Sequence, residues 1–161
     1  MSIKALLIPM VFVAFHLSGC SNIAHQARTN TTLPALIIPG WIADFPIDIE
    51  NAKLLRGDGT LFFKSKNFSW STAYQNATNE AKQQGLSVTE YFQQNVESSK
   101  KIPEYKITKL AKEGLNIYLI ENPSGKALIY TADQQPQFIG DISVLGDTDI
   151  NLIFKSIRRR K

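Results

Sequence analysis

The sequence predicts an α+β fold: a single domain built on a twisted antiparallel β-sheet of about five to six strands, with helices packed on it. Three observations predict this class. Strand-like runs separated by turn residues come first, helical patterns follow, and a second set of strands leads into an amphipathic C-terminal helix. A chain of 161 residues, 43% of them hydrophobic, has room for one core. We expect the domain to span residues 33–161.

An apolar run at the N-terminus precedes this domain. Residues 5–15 follow the lone Lys4 and are too few to cross about 30 Å of hydrocarbon, but they suit the hydrophobic core of a signal peptide. The run ends in Leu17-Ser18-Gly19-Cys20, which resembles the lipobox of bacterial lipoproteins. The resemblance implies a signal peptide over residues 1–19, cleavage before Cys20 and lipid on its thiol.

The single cysteine of the chain supports this interpretation. Cys20 has no disulfide partner, and lipidation explains a lone thiol in an exported protein. A plain signal peptide cut nearby and a short buried N-terminal helix remain as alternatives. Ser21 is not the aspartate that marks inner-membrane retention, so the resemblance implies an outer-membrane lipoprotein that faces the periplasm of a Gram-negative cell. Residues 20–32 are polar and suit a flexible tether.

The first half of the domain predicts strands. Leu33 to Ile38 is an apolar run closed by Pro39-Gly40, which reads as a strand and a turn. The core-facing candidates after that turn are Trp41, Ile42, Phe45 and Ile47. Residues 53–56 and 60–64 predict a hairpin because the glycines between them supply the positive φ of a tight turn. We expect its second strand to continue through Phe68 and Trp70.

Two helices are predicted next. Residues 71–84 place alanines four apart and are followed by Gly85, a residue that often ends a helix. The second helix begins with a capping box, in which Ser87 caps a free amide and Glu90 reaches back. Its apolar stripe consists of Val88, Tyr91, Phe92 and Val96, and Pro103 stops it.

An antiparallel meander and a final helix complete the prediction. The expected strands cover residues 105–111, 115–121, 126–132 and 137–145. The alternation of the last strand places Phe138, Gly140, Ile142 and Val144 on one face and Ile139, Asp141, Ser143 and Leu145 on the other. Both faces are partly apolar, so helices should cover at least one of them. The final helix is expected to start at Asp147 as N-cap and to dock on the sheet through Ile150, Ile153, Phe154 and Ile157.

This order of elements resembles the Mog1/PsbP-like fold, to which small envelope lipoproteins of the DcrB type belong. The resemblance is carried by Ile38-Pro39-Gly40-Trp41, the helix from Ser87, the meander and the segment from Leu152 to Ile157. Members of that fold are mostly binding or assembly factors. The resemblance therefore implies a binding role, although a fold does not determine a function.

The expected domain contains no histidine and no cysteine, because His16 lies in the signal peptide and His25 in the tether. This excludes Cys-His and Ser-His-Asp nucleophile systems and ordinary zinc sites, and we expect no catalytic residue, cofactor or metal. Carboxylates remain. The cluster of Asp44, Asp48 and Glu50 could form an acid/base pair or bind calcium, but solvated loop carboxylates are the simpler interpretation. Asp147 and Asp149 sit where a helix start favours negative charge.

Two features could serve binding. The chain ends in four adjacent cations, which could contact lipid phosphate, an acidic partner or a polyanion, or could stabilise the C-terminal end of the last helix: Arg158, Arg159, Arg160 and Lys161. The aromatic residues around Phe68 and Trp70 could line a groove or an interface, or could fill the core.

Three functions remain open from the sequence. The first is a protein-binding module held at the envelope by lipid, with no catalytic activity, in one version an immunity protein against a periplasm-acting toxin. The second is a carrier of lipid or another small ligand, and the third a carboxylate-dependent cell-wall hydrolase. A formal net charge of +4 is too small to indicate nucleic-acid binding.

Overall fold

The computed structural model describes residues 31–47, 53–57, 60–146 and 148–161. Ten strands and three helices lie in these ranges. The strands are β1 (Thr32–Ile38), β2 (Trp41–Pro46), β3 (Lys53–Gly57), β4 (Thr60–Lys64), β5 (Phe68–Asn76), β6 (Lys106–Lys112), β7 (Leu115–Asn122), β8 (Gly125–Ala132), β9 (Gln135–Gly146) and β10 (Arg158–Arg159). The helices are α1 (Thr78–Gln83), α2 (Val88–Lys100) and α3 (Ile150–Ser156).

The predicted α+β class with an antiparallel sheet and a C-terminal helix is confirmed. The main sheet has seven strands in the order β3-β4-β5-β9-β8-β7-β6, and all its pairings are antiparallel. A second antiparallel sheet has the order β1-β2-β10. The sequence pattern did not predict that the first hairpin and the C-terminus form a sheet of their own.

The predicted hairpins and the meander are present. β1 and β2 join at Gly40, whose φ of 81° lies in the left-handed region that favours glycine. β3 pairs with β4, as the spacing of the glycines between them predicts. The four strands from β6 to β9 pair in chain order as a meander, since each follows the last through a tight turn.

The helix predicted over residues 71–84 is wrong for its first half. Residues 71–76 belong to β5, and only Thr78–Gln83 are helical. β5 pairs along its length with β9 and also with β4, so sheet pairing overrides the helical spacing of the alanines. The prediction that β4 continues through Phe68 and Trp70 is also wrong. Ser65 and Phe68 exchange hydrogen bonds across a turn that reverses the chain between β4 and β5.

One face of the main sheet carries the largest core. The small sheet and α3 pack on this face, and Tyr130 ties the layers together because its hydroxyl donates to the Ile37 carbonyl at 3.1 Å. The ring of Tyr130 lies over Gly140, where a Cβ would clash with it. The larger buried residues of this core are Ile37, Ile38, Phe45, Phe63, Trp70, Ile117, Leu128, Ile142, Ile150 and Ile153.

The opposite face carries α1 and α2. Phe92 and Val96 of α2 pack on Tyr118, Ile120 and Ile129 of the sheet. A smaller cluster joins the two helices through Ala77, Ala81 and Tyr91. The main sheet therefore forms the middle of three layers.

Caps fix the starts of α2 and α3. The predicted capping box of α2 is confirmed, since Ser87 Oγ accepts from the Glu90 amide at 3.2 Å while the Glu90 carboxylate accepts from the Ser87 amide at 2.8 Å. α3 begins at Ile150, and its N-cap is Asp149, which accepts from the Asn151 amide at 2.9 Å. Asp147, the predicted cap, lies outside the described residues.

Candidate functional site

The face of the main sheet that carries α1 and α2 has two parts. We call the part under α2 the covered half; its residues Ile107, Tyr118, Ile120 and Ile129 pack with Phe92 and Val96. We call the remainder, on β4, β5 and β9, the open half; its residues include Thr60, Phe62, Lys64, Ser69, Ser71, Ala73, Asp141 and Ser143. Strand register places both halves on one face, because Ala73 pairs with Asp141, Asp141 with Ile129, and Ile129 with Tyr118.

Apart from Phe62, the open half is made of small and polar side chains. Ser71 pairs with Phe62 on one side and with Ser143 on the other, and all three are partly exposed. None of the hydrophobic clusters described for the domain includes Phe62 or Ala73. Leu145, which pairs with Ser69 at the rim, is 39% exposed. This part of the sheet therefore presents a shallow surface that the described helices leave without an apolar cover.

Asp141 lies at the border of the two halves. Its neighbours across the strands are Ala73 on the open side and Ile129 on the covered side. Burial raises the pKa of the Asp141 carboxyl from its ordinary value of 3.8 to about 6. Within the described ranges, no hydrogen bond or ion pair holds this carboxyl.

An ionised Asp141 costs folding free energy. A pKa of about 6 leaves the carboxyl mostly charged at pH 7. The rise of the pKa from 3.8 to about 6 corresponds to a loss of about 3 kcal/mol of folding free energy at most. An apolar or amide residue at this position would avoid that cost. A carboxyl that burial perturbs in this way is a candidate functional group.

Two of the four C-terminal cations are engaged inside the domain. Arg158 forms a two-pronged ion pair with Asp44 at 2.7 and 2.8 Å. The Arg159 guanidinium lies 5.1 Å from the ring centre of Trp41 and donates to Gln134 at 2.9 Å. These contacts help to hold β10 against β2, and both side chains are also exposed to solvent.

Arg160 and Lys161 continue beyond β10. The Arg160 backbone amide donates to the Gly40 carbonyl at 2.9 Å, and both side chains are exposed. The prediction that the C-terminal cations contact a partner or an anion remains a prediction for all four.

Of the two roles that the sequence leaves open for Trp70, the structure shows packing in the core. Its side chain is 1% exposed, its ring stacks on Phe63 at 5.4 Å, and its Nε1 donates to the Pro46 carbonyl at 2.7 Å. Phe68 is partly buried and also stacks on Phe63, with 5.5 Å between the two ring centres. These aromatic residues fill the core, as a small domain requires.

The carboxylate cluster considered from the sequence does not come together in the described residues. Asp44 is paired with Arg158, while Asp48 and Glu50 lie outside the described ranges. Asp149 caps α3. In the described part of the chain, no group of three or more histidine, cysteine, aspartate and glutamate side chains has an arrangement that could hold a metal ion.

Cys20, the predicted lipid attachment site, lies outside the described residues, as do the predicted signal peptide and most of the predicted tether. No helix in the described ranges is long and apolar enough to cross a bilayer. A depression of about 270 Å³ lies beside the β7–β8 turn and is lined by residues 122–126, 144–146 and 148. Through Leu145 it adjoins the rim of the open half.

Sequence reasoning missed the open half because it assigned residues 71–76 to a helix. The alternation of Trp70 and Thr72 with Ser71 and Ala73 is a strand signal that separates a buried side from a small, polar side. The orientation of Asp141 and Ser143 to one face of β9 was predicted correctly. With β5 assigned as a helix, nothing indicated that these residues continue a polar surface.

The chain matches no protein-family model, and a search of curated proteins finds no significant match to it.

Proposed function

We propose that this protein is a lipid-anchored module of the bacterial envelope that binds another protein and has no catalytic activity. The observation that carries the proposal is the open half, a partly exposed sheet surface with an unpaired carboxyl at its border. Proteins keep a destabilising polar group at an accessible surface chiefly where it serves binding or catalysis.

The shape of this surface favours a protein over a small ligand. Small-molecule sites are concave and enclose most of the ligand in about 300 to 1,000 Å³. The open half is a face of pleated strands whose side chains on β5 and β9 are mostly short, and the depression beside it has a volume of about 270 Å³. A flat, partly polar surface of this kind matches a protein interface, where shape fit over a wide area provides affinity.

The carboxyl chemistry favours binding over hydrolysis. A glycosidase needs two carboxyls about 5 to 10 Å apart, and a close second carboxylate would raise the pKa of the first by repulsion. The raised pKa of Asp141 has burial as its only cause. This carboxyl therefore behaves as an isolated acid.

The anchor rests on the sequence Leu17-Ser18-Gly19-Cys20. Two or three acyl chains on Cys20 would hold the domain at the membrane, where a partner confined to the periplasm meets it at high effective concentration. An immunity protein that captures a toxin in the periplasm is the more specific form of this proposal, since such a role needs retention and binding but no chemistry.

The anchor is tested with Cys20→Ser. The unchanged protein should incorporate labelled palmitate and sediment with the outer membrane, whereas the variant should do neither. Palmitate incorporation by the variant would contradict lipidation at Cys20.

The binding surface is tested by capture of partners on full-length protein, solubilised from membranes and carrying a tag after Lys161. Ser71→Arg places a long cation on the open half, and Ser98→Arg makes the same change at an exposed position of α2. We expect one protein to be retained in stoichiometric amount by the unchanged protein and by Ser98→Arg, and to be lost with Ser71→Arg. Equal retention by all three, or no retained protein, would contradict the proposal. A secreted toxin as the retained protein would support the immunity role.

A further inference from the structure

None of the described residues that adjoin Asp141 on its own face is a cation, and Lys64, which shares this face, pairs with Ser69 two rows from the Ala73–Asp141 pair. On β5 and β8 it adjoins Ala73 and Ile129, neither of which titrates. α2 packs Tyr91, Phe92 and Val96 on this face, and none of these side chains is a cation. On α1, Ala81 is buried in the same layer, as is Ala77 at the N-cap, while Glu80 is partly buried and Lys82 is exposed.

The cation in the same cross-strand row is too far away to help. The row runs from Asp141 through Ile129 and Tyr118 to Lys109, so Lys109 lies three strands away, about 14 Å at the usual strand spacing. Its ammonium group lies 5.8 Å from the ring centre of Tyr118, with which it makes a cation–π contact. The described part of the domain thus buries most of the Asp141 carboxyl without placing a cation next to it.

We infer that the protein partner places an arginine or lysine side chain on the open half, where the cation pairs with the Asp141 carboxylate between the hydroxyls of Ser71 and Ser143. The inference rests on the proposed function and names the chemistry by which the partner is recognised. Charge complementarity selects a cation, and the short side chains around Asp141 leave room for a long one.

An arginine fits the surrounding groups better than a simple point charge. The guanidinium offers five N–H donors in one plane, enough to engage a carboxylate and neighbouring hydroxyl oxygens together. Ser71 and Ser143 pair with each other one row from Asp141 on adjacent strands, so their hydroxyls lie on the same face as the carboxyl. A pair formed at this border is partly desolvated, so it is screened by salt less than a fully exposed pair.

Recognition of this kind depends on pH with a definite sign. The cation binds the ionised carboxyl, so affinity should be full at pH 7 and should fall as protons neutralise Asp141 below about pH 6. The expected loss between pH 7 and pH 5 is about tenfold in Kd.

Methylguanidinium serves as the probe for the cation site. The Asp141 carboxyl of the full-length protein in detergent micelles is followed by ¹³C NMR during a pH titration, with methylguanidinium chloride or with sodium chloride at equal ionic strength. We expect methylguanidinium to lower the Asp141 pKa by roughly half a unit more than sodium does. Equal pKa values in the two salts would overturn the inference.

The purified partner provides the second test. Its Kd is measured at pH 7 and pH 5 for the unchanged protein, for Asp141→Asn and for Ser71→Arg. We expect Asp141→Asn to weaken binding at pH 7 and to remove the pH dependence, while circular dichroism shows an unchanged fold. Binding that is lost with Ser71→Arg but unaffected by Asp141→Asn would overturn the cation site and leave the proposed function standing. Binding that neither variant affects would overturn both.

Discussion

The covered half and the open half belong to one face of one sheet, yet they differ in what they do for the protein. In the covered half, large side chains of β7 and β8 meet α2 and are removed from water. In the open half, serines and an alanine of β5 and β9 stay partly exposed, and Asp141 lies at the border with an ionised carboxyl that opposes folding. The first region stabilises the domain, whereas the second retains a polar surface at a cost in stability.

The difference arises from side-chain size along neighbouring strands. Ile129 and Asp141 are direct partners, but the row continues to Tyr118 on one side and to Ala73 on the other. A helix gains hydrophobic free energy only where it buries apolar area. α2 therefore lies over the isoleucines and Tyr118, and the small side chains beyond Asp141 offer it little to bury.

The largest expected effect is the loss of the contact that defines the covered half. Phe92→Ala removes a side chain that is 2% exposed, so the free energy of unfolding should fall by about 3 to 5 kcal/mol. Urea denaturation measures it. Gln94→Ala, at an exposed position of the same helix, is the control and should change little. A loss below about 1 kcal/mol for Phe92→Ala would mean that α2 does not stabilise the sheet.

The border residue should act in the opposite direction. Burial raises the Asp141 pKa to about 6 in the folded state, so the folded protein holds this proton more tightly than the unfolded chain does. The stability gained from that proton is complete below about pH 4 and is lost as the pH rises through 6. Asp141→Asn should therefore stabilise the protein by about 2 to 3 kcal/mol at pH 7 and by almost nothing at pH 3.5. Denaturation at both pH values shows this, and destabilisation at pH 7 would reveal that Asp141 has a favourable partner.

The start of α2 should have an intermediate effect. Ser87→Ala removes the hydroxyl that caps the Glu90 amide and donates to the Glu90 carboxylate, while the backbone amide of residue 87 still donates to that carboxylate. The unfolding free energy should therefore fall by about 1 kcal/mol. The Ser87 hydrogen bonds lower the Glu90 pKa, so their stabilising effect is present above its ordinary value of 4.5 and is lost as the pH falls. Denaturation of the unchanged protein and of Ser87→Ala across this pH range measures their difference in stability. A difference that grows as the pH falls would contradict this account of the cap.

The smallest expected effect belongs to the open half. Ser143→Ala leaves the strand pairing intact and removes a partly exposed hydroxyl, so stability should change by less than about 0.5 kcal/mol. Thermal unfolding measures this change in stability. The counterpart is Ala127→Ser, which makes the reverse substitution at the buried residue that pairs with Ser143 on β8. The counterpart should be the more destabilising of the two, and the opposite order would mean that the open half contributes to the core.

The sequence predicted the parts of the fold whose signals are local. The turn glycines located the hairpins, the capping box located α2, and the alternation in β9 placed Asp141 and Ser143 on one face. β5 was mistaken for a helix because alanines four apart suit a helix, while pairing with two neighbouring strands depends on residues far along the chain.

The contact partners of polar groups could not be predicted in this way. Nothing near Arg158 in the sequence indicates that Asp44, which lies 114 positions earlier, accepts its hydrogen bonds. The raised pKa of Asp141 likewise results from burial created by other elements. Such properties arise from packing, so a motif search could not find them.

The central claim is that the open half contacts a partner in the cell, and site-specific photo-crosslinking tests it most directly. A photoreactive phenylalanine derivative is placed at Ser143 in the open half, or at Glu97, an exposed position of α2, in cells that naturally produce the protein. We predict that the Ser143 position crosslinks to a single protein and that the Glu97 position does not. Crosslinks to that protein from Glu97 but not from Ser143 would contradict the claim, as would the absence of any crosslink from Ser143.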